Sequence, residues 1–452
     1  MVGWKEGGML DVRDPRLRTF AFEGNFGLER EALRVTEEGF MAHTPHPFPA
    51  DHQRIVRDFC ENQTEINTRV WPTPEESVAE LETLNAEILR TLGRPTSVSE
   101  TDGTATVPHI SPEYLWPFSN PPPLRGEADV IPAKFVGTQV GKSSYRDYLA
   151  EKYGRYLMTF CGIHVNFSFG DRLISVSGVN RNDLYLHVAA GSVLWGWIVV
   201  ALTAASSIAD SSLFITEETR FRVSSNAQKS NPSNDIFSGF ASVRCGDLGY
   251  WNHFTPVNDF SNVEAYAETI RGYVRRGLIV APSELYYPVR LKPRGANRLE
   301  TLVAEGIDHI ELRCVDLNPF VGGLVDVRDI KFIQLFFLWC AARPPARLTE
   351  RDQTQAVRNF KNAARYDLDL ARISLPDGTS ASVRKTGLRL LSSMNRFFEN
   401  FPAEVTDIIT FEYEKLEHPE RCYATQVREC FGGTFAEKGL ALAKRLAEDA
   451  DV

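Results

Sequence analysis

Two carboxylates stand two residues apart, Glu29 and Glu31, in the segment Gly27-Leu28-Glu29-Arg30-Glu31-Ala32-Leu33-Arg34-Val35. Leu33, Val35 and the leading glycine favour an extended chain, where residues i and i+2 point to the same face. Side-by-side carboxylates repel, so a half-buried pair of this kind calls for a cation. Oxygen ligands suit a divalent ion, Mg²⁺ first. A solvated edge strand is the alternative for this motif taken alone.

Further groups of the same chemistry recur along the chain. Asp58 and Glu65 bracket the acidic stretch Asp58-Phe59-Cys60-Glu61-Asn62-Gln63-Thr64-Glu65. The run Gly162-Ile163-His164-Val165-Asn166-Phe167-Ser168-Phe169 alternates polar and apolar residues and puts His164, Asn166 and Ser168 on one face. His309-Ile310-Glu311-Leu312-Arg313-Cys314 alternates likewise and aligns His309, Glu311 and Arg313. Arg244, in Ser242-Val243-Arg244-Cys245, is expected on an extended segment as well. Singly, each has a bland reading: a hydrogen-bonded core histidine, a turn charge, a solvated strand face. Together, a carboxylate-rich set with one histidine suits two or three Mg²⁺ or Mn²⁺ ions. Arginines beside such ions suit a transferring phosphoryl group. The residues therefore indicate nucleotide-dependent phosphoryl transfer on an antiparallel sheet.

The elements that must position these groups are legible in outline. Thr73-Pro74-Glu75-Glu76 reads as a capping box with proline at the first helical position, and Val78, Leu81, Leu84, Ile88 and Leu92 follow at helical spacing. Helices are predicted over 143–160, 261–277 and 327–342, and the remainder is mostly helical, closing on Thr434–Asp449 with a Thr434…Glu437 capping box. Leu285–Arg290 is predicted as a short strand. Residues 94–124, rich in proline, serine and threonine, read as a rigid loop held down by Trp116 and Phe118. Glu217–Ser238 reads as a long surface loop or lid. Residues 1–22 read as an irregular, partly mobile N-terminus, and 23–452 as a single catalytic domain. One-face-polar strands with interspersed helices indicate an α+β fold whose sheet lines a cleft. Neither GxGxxG opening a helix nor GxxxxGK[ST] occurs, which removes support for Rossmann and P-loop readings.

Composition bounds the function classes. Across 452 residues the formal charge is −9, which argues against broad nucleic-acid binding. An acidic protein can still take ATP where arginines focus in one cleft. Seven cysteines, scattered and without CxxC spacing, fit reduced thiols in the cytoplasm. The N-terminus has no apolar signal-peptide core. Leu184–Ala209 contains no Asp, Glu, Lys or Arg and is long enough for a membrane span, but its interspersed serines, threonine and histidine and its lack of basic flanks favour a buried core helix.

These blocks resemble bacterial glutamate–cysteine ligase. The likeness rests on Gly27–Val35, Trp116-Pro117-Phe118-Ser119, Gly162–Ser168, Arg244…Asp247-Leu248-Gly249-Tyr250, Glu284-Leu285-Tyr286…Pro288-Val289-Arg290 and Ile310-Glu311-Leu312-Arg313…Asp316-Leu317-Asn318-Pro319-Phe320. The blocks keep the family's order from about residue 27 to about 340. Val165 stands where the family commonly has an aromatic, Asn62-Gln63-Thr64 is more polar than the family's pattern, and the chain after about residue 345 matches poorly. The resemblance implies a glutamine-synthetase-like fold, an antiparallel sheet curled into a funnel with helices outside. It also implies an ATP-dependent ligase joining the γ-carboxylate of L-glutamate to the amine of L-cysteine through γ-glutamyl phosphate, as the first step of glutathione biosynthesis. Carried over by position, Glu29, Glu31, Asp58, Glu65, His164 and Glu311 hold Mg²⁺. Arg244 and Arg313 contact the transferred phosphate. Phe59, Tyr145, Leu149, Tyr250 and Tyr286 shape the acceptor pocket, with Arg146, Arg290 and Lys292 binding substrate carboxylate or phosphate. A chain of this length has no room for the ATP-grasp domain of the fused enzymes, so a complete chain would stop at the dipeptide. Another amine acceptor is the near alternative, a metal-dependent hydrolase or a non-catalytic nucleotide-binding protein the distant ones.

Overall fold

The computed structural model describes residues 8–93, 111–135, 137–214, 228–229, 235–237 and 239–450. Its centre is an antiparallel sheet of strands β1 (Gly24–Val35), β2 (Ile55–Arg57), β3 (Gln63–Asn67), β4 (Tyr114–Leu115), β5 (Ile163–Phe169), β6 (Val289–Lys292) and β7 (His309–Val315). The spatial order is β2-β3-β1-β5-β7-β6, with β4 on the end of β1.

Alternation along these strands separates two faces. Leu28, Arg30 and Ala32 of β1, Val165 and Phe167 of β5, and Ile310 and Leu312 of β7 are buried on one side. Helices cover that side, as the stacking of Phe167 on Phe337 at 5.4 Å illustrates. Phe337 belongs to a helix, Val327–Ala341, whose apolar side chains surround it on nearly all sides. The other face carries the carboxylates and the histidine. Register sets who meets whom: Glu29 lies opposite His164, Glu31 opposite Glu65, and Glu311 opposite both Asn166 and Arg290.

The charge-free stretch resolves into two buried helices, α3 (Arg181–Trp195) and α4 (Trp197–Thr203), bent by 58° at Gly196. Among the described residues no single helix is long and apolar enough to cross a membrane. A side chain at Gly196 would put its Cβ 2.4 Å from the Ser192 carbonyl and 2.9 Å from the Phe360 ring, so the bend is packed tight.

Other expectations are met with shifted ends. The capped helix α1 runs Pro74–Leu92, with the Thr73 hydroxyl accepting from the Glu76 N–H at 3.2 Å. The next predicted helix is α2, Gly141–Tyr153, followed by a short 3-10 turn at Tyr156–Thr159. Those over 261–277 and 434–449 are Val263–Arg275 and Phe435–Ala450. In the second, the Phe435 N–H is taken by the buried Asp235 carboxylate at 3.1 Å, a partner far away in sequence. Trp116 and Phe118 are buried and pack edge-on against Phe435.

Four expectations change. Leu10, Val12, Leu17 and Ala21 are buried and the Leu10 N–H donates to Ala341, so the described part of the first 22 residues is anchored in the core. Leu285–Arg290 is only partly a strand: a 3-10 turn at Pro282–Glu284 delays it to Val289. Arg244 lies in a turn, because the Ser242 hydroxyl and carbonyl accept from the N–H groups of Cys245 and Gly246 at 3.1 and 3.0 Å. Most of Glu217–Ser238 lies outside the described residues, but Gln228–Lys229 and Asp235–Phe237 within it are paired strands beside Ala209–Asp210, not open loop. Residues 94–110 of the predicted rigid loop are also outside the description.

Candidate active site

Strand alternation brings the polar face of β1, β3, β5, β6 and β7 to the floor of one cleft. It is lined by Glu29, Glu31, Asp58, Phe59, Glu65, Tyr145, Arg146, Leu149, His164, Arg244, Tyr250, Tyr286, Lys292, Glu311 and Arg313. Those are all the site residues that the family resemblance implied except Arg290, while His309, Asn166 and Ser168 of the same strand faces do not line it. The Arg290 guanidinium instead donates to the carbonyls of Ser283 (2.9 Å) and Leu285, holding the turn that precedes β6.

Within the cleft the acids form two groups. Glu29, His164 and Glu311 offer ligand atoms within 4.8 Å of one another. His164 Nδ1 lies 2.9 Å from Glu29 Oε2 and 3.3 Å from Arg313 Nη1, and Nε2 stands 3.8 Å from Glu31. Burial and the adjacent Arg313 push His164 down to about 4, which keeps it neutral and able to ligate. Burial is the largest single influence on Glu29 and opposes its charge, but the hydrogen bond to His164 together with the electrostatic attraction of His164 and Lys292 outweighs it and the pKa falls. Glu311 is buried; Arg313 donates to its Oε1 at 2.9 Å and Lys292 stands 3.4 Å from the same atom. Its other oxygen, Oε2, is buried with no partner in the protein. A buried orphan oxygen on a carboxylate grouped with a second carboxylate and an imidazole fits a hard divalent cation.

Glu31, Asp58 and Glu65 form the second group. Burial and then the neighbouring Asp58 push Glu31 up to about 8, and the same two causes drive Glu65 well above the carboxylate range. Protein groups answer this crowding only in part: the Gly162 N–H donates to Glu31 Oε2 at 3.1 Å. A bound cation would supply the positive charge that this cluster lacks.

Beside the acids lie the two arginines. Arg313 and Cys314 sit at a register shift between Leu312 and Val315, where β7 bulges against β5. Bulges re-aim side chains, and both of these residues reach the cleft. Arg244 is buried and anchored by the carbonyls of Arg313 (2.9 Å) and Val315 (3.3 Å). Its guanidinium passes over Gly162, where a Cβ would stand 2.2 Å from Arg244 Cζ. At the far end, Tyr250 and Tyr286 pack ring to ring at 4.0 Å, and Arg146 donates to the Asp58 carbonyl at 3.1 Å.

Residues 11–278 and 255–363 match the family model described as glutamate-cysteine ligase. The chain belongs to the glutamate–cysteine ligase family. It is 31% identical over 433 residues to the glutathione biosynthesis bifunctional protein GshAB of Listeria welshimeri, covering 91% of this chain and 52% of that protein. It therefore spans about half the length of such bifunctional relatives. Against the glutamate–cysteine ligase of Clostridium acetobutylicum it is 28% identical over 453 residues, covering 88% of this chain and 90% of that one. The fold matches the crystal structure of the Francisella tularensis glutamate–cysteine ligase in complex with AMP with a TM-score of 0.81 at 21% identity, over 95% of this chain and 89% of that one.

Several residues at the site of this glutamate–cysteine ligase family member carried no signal in the sequence. Trp251, Ser283, Tyr287 and Phe360 also line the cleft. Phe360 comes from a helix, Glu350–Ala363, beyond the recognisable blocks. Asn166, which donates to Glu29 Oε1 at 3.1 Å, was legible only as a neighbour of His164 on the strand face.

Proposed function

We propose that this chain is an ADP-forming ligase that joins the γ-carboxylate of L-glutamate to the amine of L-cysteine through γ-glutamyl phosphate. The observation that carries the reading is the convergence of six metal-type ligands, the buried Arg244 and the half-buried Arg313 on one cleft, in a member of this family. The sheet is taken to curl into the funnel of a glutamine-synthetase-like catalytic domain formed by residues 23–452.

In this reading Glu29, Glu31, Asp58, Glu65, His164 and Glu311 hold two or three Mg²⁺ or Mn²⁺ ions. Bound there, the ions neutralise the phosphates of ATP and the acceptor carboxylate, which otherwise repel each other. Arg313, pinned by Glu311, meets the transferring phosphoryl group. Arg244, fixed by strand carbonyls, meets the departing phosphate and the oxyanion of the tetrahedral intermediate. Lys292 faces the nucleotide phosphates; Arg290, turned to the 283–285 carbonyls, shapes the pocket rather than touching ATP. Phe59, Tyr145, Leu149, Tyr250 and Tyr286 enclose the acceptor, and Arg146 takes its carboxylate. A carboxylate is a poor acyl donor, and phosphorylation supplies the leaving group, so no enzyme nucleophile is needed. All seven cysteines are free, which supports a reducing, cytoplasmic setting.

Steady-state ADP release with ATP, Mg²⁺ and L-glutamate, in the presence of cysteine, other amino acids or simple amines, tests the reading. Cysteine should give the highest turnover and γ-glutamylcysteine as product. Equal rates with the other amines would remove the assignment of cysteine. Phosphate release without any amine would point to a hydrolase, and no ADP under any combination to a binding protein.

A further inference from the structure

Glu284 is fully buried, although its neighbours Ser283 and Tyr286 line the cleft. A buried carboxylate is costly unless donors saturate it. Here Oε1 accepts from Lys152 Nζ (2.5 Å) and the Tyr153 hydroxyl (2.8 Å), and Oε2 from the Val280 N–H (2.7 Å). The Glu284 carbonyl accepts from Asn252 Nδ2 at 2.8 Å, and Asn252 Oδ1 accepts from the Tyr286 N–H at 2.8 Å. Lys152 also donates to the Leu278 carbonyl at 2.7 Å. Burial alone would lower the Lys152 pKa, but its hydrogen bonds to Glu284 and Tyr148 raise it above the usual lysine value.

The bonds join three chain segments: the end of α2, the loop holding Asn252, and the 278–286 turn. Each supplies a wall of one pocket, Tyr145 and Leu149 from α2, Tyr250 from the loop, and Tyr286 from the turn. Tyr153 packs edge-on against Tyr286 at 5.2 Å. Neither Glu284 nor Lys152 lines the cleft itself. We infer that the Glu284–Lys152 pair is a positioning hub that sets the width of the acceptor-amine pocket without touching substrate. The inference rests on the ligase reading for the identity of that pocket, not for the hub's existence.

The test is the double variant Glu284→Gln/Lys152→Met, which removes the buried carboxylate and its half-buried lysine partner together and so leaves neither charge unpaired. The acceptor KM should rise by about tenfold, with kcat at saturating acceptor and the KM values for ATP and glutamate within about twofold. In parallel, hydrogen exchange of the ligand-free variant should quicken at the Val280 and Tyr286 amides and leave the β1 and β5 amides unchanged. A uniform loss across all kinetic constants, unchanged kinetics, or unchanged exchange at Val280 and Tyr286 overturns the hub. Wild-type protein that releases no ADP with any amine overturns the ligase reading instead, while the exchange data still decide the hub.

Discussion

At Glu311 one carboxylate oxygen is held by Arg313 and Lys292 and the other is buried without a partner. Glu311→Gln keeps the volume and removes the charge, so turnover should fall by roughly a hundredfold or more while circular dichroism stays native. Glu29→Gln should behave alike. Near-normal activity with unchanged Mg²⁺ dependence would strike either residue from the ligand set. Arg313 is a different case, because a planar fork on phosphate oxygens matters most where charge develops. Arg313→Lys should lower kcat by roughly ten- to a thousandfold, with smaller changes in the KM values for ATP and glutamate. A lower melting temperature with kcat nearly intact would reduce Arg313 to a structural partner of Glu311.

The turn holding Arg244 and the start of β5 form one unit, because the guanidinium lies across the bare Cα of Gly162. A methyl group there meets Arg244 Cζ at 2.2 Å, and the shortest relief is rotation of the guanidinium away from the Arg313 and Val315 carbonyls. Gly162→Ala should therefore cost activity by roughly tenfold or more, with a Tm change of only a few degrees. An active Gly162→Ala enzyme would mean that Arg244 need not hold its observed orientation. At this scale the alternation of β5 and β7 was readable directly, since every second residue is apolar, and β1 follows it except where Arg30 and Arg34 take buried-face positions. The bulge at Arg313–Cys314 and the turn at Arg244 were not, because neither changes that alternation enough to show in one sequence.

Across the whole molecule, the paired acids make folding stability depend on pH and metal together. Glu31 in the metal-free fold ionises at about 8 against an ordinary value of 4.5. The native state then holds a proton that the unfolded chain has released, so the contribution of Glu31 to stability falls as pH rises from 4.5 toward 8, and above about 6.5 the lowered histidines no longer offset it. On the proposed reading Mg²⁺ bound at Glu31 would favour the ionised form and reverse the sign. The metal-free protein should thus melt lower at pH 8 than at pH 6, and Mg²⁺ should raise Tm more at the higher pH. At a hundred times its dissociation constant the ion should contribute about 2.7 kcal/mol. Glu31→Gln should make the metal-free pH slope shallower without abolishing it, since Glu65 is raised by the same causes; an unchanged slope in thermal melts would place the titration elsewhere.

Strand periodicity and acid spacing determined by themselves that Glu29 and Glu31 share a face, that His164 shares one with Asn166, and that Glu311 shares one with Arg313, because the pleat has a period of two. Capping and helical spacing likewise determined α1 almost to the residue. Which faces meet was decided only by tertiary pairing: β1 takes β3 on one side and β5 on the other, so Glu65 and His164 flank its two acids. The orientation of Arg290 was also a tertiary outcome, since its guanidinium answers carbonyls made available by the 3-10 turn at Pro282–Glu284. Phe360 reaches the cleft from a helix that lies beyond the blocks read in the sequence although the family model extends to residue 363, because shape complementarity asks only for an apolar side chain of the right size at that point in space.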